Sequence, residues 1–336
     1  MPLTVNYNED GIPNGVPTYL FDQVALYQED PMSAARAWFT KAGLGLSVFF
    51  GLHGLLGRHE DVIEREEMPF AEYAELEKQL TAKNFDAIDI VELAIAAGAR
   101  YIVFPAVYDD GFSLYNTTQT DFNSVHSPAH RDFVGELASV CEYHGLGLGL
   151  EYSLGINYHK WPKGIPATDV EAYFEFVHSQ LHELLTQYGP IAMVSFNGLR
   201  RIRRQFPAWS PQDLYDLVHG LQPSVLVAFR QGHTGTEDYY TVSEKLPNAT
   251  DDELTRGFAL ANSPKKPLEI RQSLTPGGRG FNAGEAGHHL KTDALRQCLR
   301  NARQAEANLL INTALMPDGS LDLEDINTLL EFGKKK

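Results

Sequence analysis

One feature of this chain constrains its fold more than any other. Short, nearly all-apolar runs recur along it, and most are separated by a helical pattern. The runs are LGLSVFFG at 44–51, RYIVFPAV at 100–107, LGLGLEYS at 146–153, IAMVSFNG at 191–198, SVLVAFRQ at 224–231, PLEIRQS at 267–273 and NLLINT at 308–313. Between them lie amphipathic stretches at 70–80, 87–97, 129–144, 168–188, 211–221, 290–306 and 322–332. Pro69, Asp132, Thr168 and Pro211 mark helix starts, and Gly98, Gly145, Gly189 and Gly220 mark ends. An earlier helix is expected from Met32 to Lys41, with Ser33 as its cap. Strands apolar on both faces that alternate with helices form a parallel sheet covered on both sides.

Seven clear strands and a weaker eighth, within 336 residues, fit a single-domain (β/α)8 TIM-type barrel. An open dinucleotide-binding sheet lacks its fingerprint, because the glycines of GLHGLLG at 51–57 are wrongly spaced. The expected organisation is an irregular N-terminal arm over 1–30 and a barrel over 31–336. The charge balance, 28 basic against 44 acidic side chains, is net −16 and argues against nucleic-acid binding. No apolar run reaches the roughly 20 residues of a membrane span. Without a signal-like N-terminus, a cytoplasmic location is expected. Cys141 and Cys298 read as free thiols, a disulfide being the alternative, and a homo-oligomer is left open.

Barrel chemistry sits at the C-terminal ends of the strands. That rule selects Phe49, Phe50, Glu60, Tyr108, Asp109, Asp110, Glu151, Asn197, Arg230, Glu269 and Asn312.

Several longer stretches carry a family resemblance. They are WFTKAGLGLSVFFG at 38–51, MPFAEYAELEKQLTAKNFDA at 68–87, DGFSLYNTTQTDFNSV at 110–125, RDFVGELASVCEYHGLGLGLEYSLG at 131–155, LYDLVHGLQP at 214–223 and NLLINTALMPDGSL at 308–321. In these the chain resembles the catalytic barrel of the α-L-fucosidases, glycoside hydrolase family 29; the β-sandwich that usually follows that barrel is expected to be absent. The resemblance implies a carbohydrate ligand and hydrolysis of a glycosidic bond. No cofactor is expected, and with no His/Cys pattern for zinc no metal is assigned. In retaining enzymes one carboxylate attacks the anomeric carbon and a second carboxyl protonates the leaving oxygen, the two roughly 5–5.5 Å apart.

The family's site motifs depart one by one. Where the family has His-Trp-Gly, this chain has Phe49-Phe50-Gly51; where it has His-His-Asp-Gly-Phe, this chain has Tyr108-Asp109-Asp110-Gly111-Phe112. The family's Tyr-Tyr-Ser is Glu151-Tyr152-Ser153, and its nucleophile in Phe-Asp-Gly is matched by Asn197 in Phe196-Asn197-Gly198. An amide cannot form the ordinary glycosyl-enzyme ester. Glu60 and Arg230 match a family glutamate and arginine; Glu244 and Glu269 match the acid/base glutamates of two branches.

The expectation is therefore a fucosidase-like protein with a rebuilt site. Asp109, Glu151, Glu244 and Glu269 are its candidate acids and bases, with Asn197 holding a water. Substrate contacts are expected from Phe49, Phe50, Glu60, Tyr108, Tyr152, Arg230 and Arg271, and from Arg200 and Arg201 of LRRIRRQ at 199–205. Guanidinium forks suit a sulfated or uronic sugar. The alternative is a non-catalytic relative that binds sugar or serves as a scaffold.

Overall fold

The computed structural model describes residues 15–229, 237–243 and 266–334. Eight parallel strands form one curved sheet: β1 Leu44–Phe49, β2 Tyr101–Val107, β3 Gly147–Ser153, β4 Met193–Asn197, β5 Leu226–Phe229, β6 Tyr240–Ser243, β7 Leu268–Ser273 and β8 Ala307–Ala314. Their order is β5-β4-β3-β2-β1-β8-β7-β6, the arrangement of a nearly closed (β/α)8 barrel. At the seam between β5 and β6, the N–H of Asp238 donates to the Val227 carbonyl at 2.8 Å. The Asp238 carboxylate in turn accepts from the Val227 N–H at 2.8 Å and is held by Arg36 at 2.7 Å.

Side chains alternate along each strand, and the two sets feed two cores. Leu46, Val48, Ile102, Phe104, Leu148 and Leu150 pack outward against the helices. Tyr101, Val103, Met193, Leu226, Ala228 and Leu310 fill the lower barrel together with Trp38 and Phe39. Glycines at 45, 147 and 149 make room for these large side chains: a Cβ on Gly45 would lie 2.3 Å from the Tyr101 ring. Above this floor the inward positions turn polar, and there the candidate chemistry begins.

Three expectations are corrected. Residues 18–29 of the arm are helical, as Thr18–Gln23 and Val24–Glu29. The helix Pro31–Ala42 is capped by Asp30, whose carboxylate accepts from the N–H groups of Met32 and Ser33, so Ser33 lies inside it. The stretch 70–80 divides into Phe70–Ala74 and a 3₁₀ turn, Glu75–Gln79. Both cysteines are free. Among the described residues no helix is long and apolar enough to cross a membrane.

Candidate functional site

β7 sets the geometry of the barrel centre. Glu269 and Arg271 lie two residues apart, so both point inward. Glu269 is fully buried, accepting from Tyr101 Oη at 2.9 Å and from Thr241 Oγ1 at 2.8 Å. Arg271 Nε reaches Glu269 at 3.3 Å, and its Nη1 pairs with Glu151 of β3. The second oxygen of Glu151 pairs with Arg279 Nη1 at 2.6 Å. Arg279 comes from the loop after β7 and also faces Glu60, Nε to Oε1, at 3.4 Å. Three acids and two arginines thus form one buried chain across the barrel. Burial opposes the charge on each arginine, but the facing carboxylates keep both guanidiniums protonated.

The loop that delivers Arg279 is shaped by glycine. Its backbone binds Glu60: the N–H groups of Arg279 and Gly280 donate to Oε2 at 2.9 and 3.0 Å. A Cβ at Gly280 would stand 2.6 Å from His53 Nε2, and one at Gly278 2.9 Å from Glu60 Oε2. Burial works against the Glu60 charge, yet Arg279 and these N–H groups hold its pKa down at about 2. The buried His53 beside it is pushed down to about 4, burial being the main cause.

Above this network opens a cavity of about 430 Å³. Glu60, Tyr108, Asp109, Asn197, Arg201 and Arg279 line it, joined by Asp61, Glu64 and Arg204. Asp109, at the end of β2, accepts from Ser153 Oγ of β3. Burial raises its pKa above the ordinary aspartate value, against the Ser153 hydrogen bond and the charges of Arg201 and Arg279. Asp61 pairs through Oδ2 with Arg65 at 2.9 Å, while its Oδ1 is buried and, among the described residues, has no hydrogen-bond partner. Arg201 meets the exposed Glu64 at 3.3 Å. The cavity therefore holds a carboxyl whose pKa burial raises, the carboxylate of Glu60 whose pKa is held down, the further acids Asp61 and Glu64, an amide and three guanidiniums. Among the described residues no group of His, Cys, Asp and Glu is arranged to hold a metal ion.

The structure thus brings together Glu60, Tyr108, Asp109, Asn197 and Arg201. It separates others from the cavity. Phe50 is 2% exposed and packs on Phe133 and Phe85, outside the barrel wall. Tyr152 points outward too, donating to Gln180 at 2.7 Å. Glu269 lies too deep to meet a substrate, and Glu151 is closed in by two arginines, so neither is placed as an acid or base of this cavity. Arg271 is turned to those acids. Phe49 is buried beneath Arg279, whose guanidinium lies 4.3 Å from its ring centroid. Arg230, Glu244 and the Arg200 side chain fall outside the described residues.

Sequence reasoning missed Arg279, Asp61, His53 and the use of Ser153. For Arg279 a signal existed: GGRG at 277–280 directly after a barrel strand marks a backbone held close to its neighbours. His289 is buried and paired with Asp325 at 2.7 Å.

Comparisons with known proteins agree with this architecture. A putative alpha-L-fucosidase 1 of Oryza sativa subsp. japonica is 33% identical over 150 residues, covering 42% of this chain and 27% of that protein. The plasma alpha-L-fucosidase of Homo sapiens is 25% identical over 223 residues, covering 61% and 41%. The chain thus matches well under half the length of these curated relatives. Alpha-L-fucosidase AlfC from Lactobacillus casei, solved with alpha-L-fucose product, superposes with a TM-score of 0.74 at 25% identity, covering 89% of this chain and 97% of that one. Alpha-L-fucosidase isoenzyme 1 from Paenibacillus thiaminolyticus gives 0.76 at 23% identity, covering 90% and 75%. The profile described as Alpha-L-fucosidase matches residues 24–335, nearly the whole barrel, and the chain belongs to that family.

Proposed function

We propose that this protein is a fucosidase-like glycoside hydrolase whose mouth cavity takes a glycoside bearing a sulfate or carboxylate. The observation that carries the proposal is the meeting, in one cavity, of Asp109 with Arg201, Arg204 and Arg279. The guanidiniums of Arg201 and Arg204 attract the anionic group. Asp109, protonated to a higher pH than an ordinary aspartate, donates its proton to the departing glycosidic oxygen. Asn197 cannot attack the anomeric carbon, so its amide orients a water, and Asp61 through Oδ1 accepts the proton that this water loses. One bond to the leaving oxygen breaks as the water's oxygen bonds to the opposite face, and the anomeric configuration inverts.

The test is turnover of neutral, sulfated and uronic α- and β-glycosides by wild type, Asp109→Asn and Asp61→Asn, with the first product anomer read by NMR. Hydrolysis of an anionic member with inversion is expected, reduced on the order of 10²-fold or more in Asp109→Asn. Retention would remove the role given to Asn197. A second reading, a non-catalytic sugar binder, draws on one observation: Glu151 and Glu269 are both locked to arginine. Calorimetric binding without turnover across the panel would favour it.

A further inference from the structure

The opposite end of the barrel holds a second and larger cavity, about 710 Å³. It lies where β1 and β2 begin, beside Leu44 and Arg100. Its walls bring together Lys41, Arg100, Arg296, Arg300 and Arg303, against the single carboxylate of Asp22. In a chain of net charge −16 this is a marked local reversal. Three of the arginines come from the helix Thr292–Gln304 at spacings of four and three residues, which sets them on one helix face.

Most of this positive charge has no acid to meet it. Asp22 takes Arg100 at 3.5 Å, and Asp293 takes Arg296 at 3.1 Å. Among the described residues no carboxylate lies within 4.0 Å of Lys41, Arg300 or Arg303. The Nε of Arg296 is buried and without a hydrogen-bond partner. The helices Pro31–Ala42, Ala87–Ala97, Thr292–Gln304 and Leu323–Gly333 all end near this cavity. Each such end carries about half a negative charge. Together these ends offset only part of the cationic excess. Trp38 and Phe332 supply an apolar wall.

We infer that this foot cavity is a binding site for a small anion carrying two or more phosphate or sulfate groups. Guanidiniums on one helix face can engage separate oxyanions, while Lys41 and Arg100 close on the ligand from the opposite side. The volume is that of a pocket for a ligand of sugar-phosphate or nucleotide size. The site is remote from the mouth, so its occupant is distinct from the substrate.

Calorimetry on the full chain at low salt tests it, with pyrophosphate, inorganic phosphate and butane-1,4-diol disulfate, the bis-sulfate of an alkanediol and so not a glycoside for the mouth, as probes. One site is expected, with a Kd below about 1 mM for pyrophosphate or the alkanediol disulfate and weaker binding of inorganic phosphate. The stronger of the two tight probes identifies a phosphate or a sulfate source. The exposed pair Arg300→Glu/Arg303→Glu should lose ten-fold or more in affinity with its circular dichroism unchanged. Lys41→Gln, on another wall, should lose part of it, and Arg201→Ala/Arg204→Ala at the mouth should lose none. Absence of binding by wild type, undiminished binding by Arg300→Glu/Arg303→Glu, or loss in the mouth variant would overturn the assignment. None of these outcomes depends on whether the mouth hydrolyses a glycoside.

Discussion

Arg279 lies over the ring of Phe49, its guanidinium carbon 4.3 Å from the ring centroid, while the same guanidinium joins Glu60 to Glu151. A cation resting on an aromatic face and flanked by two carboxylates is satisfied on every side. It also bridges the loop after β1 and the end of β3, so the mouth is fastened by one side chain.

Removal of that side chain leaves Glu151 with Arg271 as its one remaining paired cation and Glu60 with only the backbone N–H groups of residues 279 and 280. Arg279→Met should cost about 3–5 kcal/mol, the range for breaking one side of a buried pair. Urea unfolding measures it. Adding Glu60→Gln to Arg279→Met should recover part of the loss, because the uncompensated charge goes with it. A purely additive double variant would mean that the two residues are not coupled.

The glycines of this loop differ from those elsewhere. Gly280→Ala drives a methyl group to 2.6 Å from His53 Nε2 and 3.0 Å from the Glu60 backbone nitrogen, and should destabilise by about 1–3 kcal/mol. Gly220, near the end of the helix Gln212–Leu221, has open space where its Cβ would stand. Gly220→Ala should raise stability by about 0.5–1 kcal/mol. Thermal melts of the two variants should therefore move in opposite directions.

Two carboxyls give opposite pH signatures. Burial raises Asp110 from 3.8 to about 6, so its favourable contribution is complete below pH 3.8 and is lost as pH rises through 6. Glu60 is held at about 2, below its ordinary 4.5, so its contribution is present above pH 4.5 and is lost as pH falls through 2. Between pH 4 and 7, wild type should lose up to about 3 kcal/mol relative to Asp110→Asn. Relative to Glu60→Gln it should lose its advantage only in acid, below pH 4.5. Denaturant titrations across pH separate the two.

The alternation of apolar runs and helices made the barrel legible, because strands buried on both faces must be apolar whatever their neighbours. One strand, β6 at Tyr240–Ser243, is only four residues long and was not located from the sequence. The site was half legible. Asp109 and Asn197 could be chosen from strand ends alone. Glu269 could not be assigned in that way, since whether a strand acid sits at the mouth or a turn deeper depends on register, and Tyr101, at the foot of β2, is what fixes it. Phe50 and Tyr152 follow their inward neighbours by one residue, and that single step sends each to the helical side of the wall. Arg279 was hidden because loop conformation decides where its side chain goes.

The position matching the family nucleophile yields the sharpest prediction. If only the missing carboxylate separated this chain from an ordinary fucosidase, Asn197→Asp would restore activity. The surroundings argue otherwise. Phe49 stands where the resemblance implies a sugar-binding histidine, and the Arg279 guanidinium covers it. Ser153, paired in register with Asn197, already binds Asp109, so a new carboxylate arrives beside a carboxyl that burial has raised. Like charges there should raise Asp109 further and destabilise the variant by about 1–2 kcal/mol at pH 7, a deficit that shrinks in mild acid as one carboxyl takes a proton. Aryl α-L-fucoside hydrolysis by Asn197→Asp should stay at the level of wild type. A gain of retaining turnover would show that the fucose pocket is intact beneath Arg279, and that the arginine moves aside for the sugar.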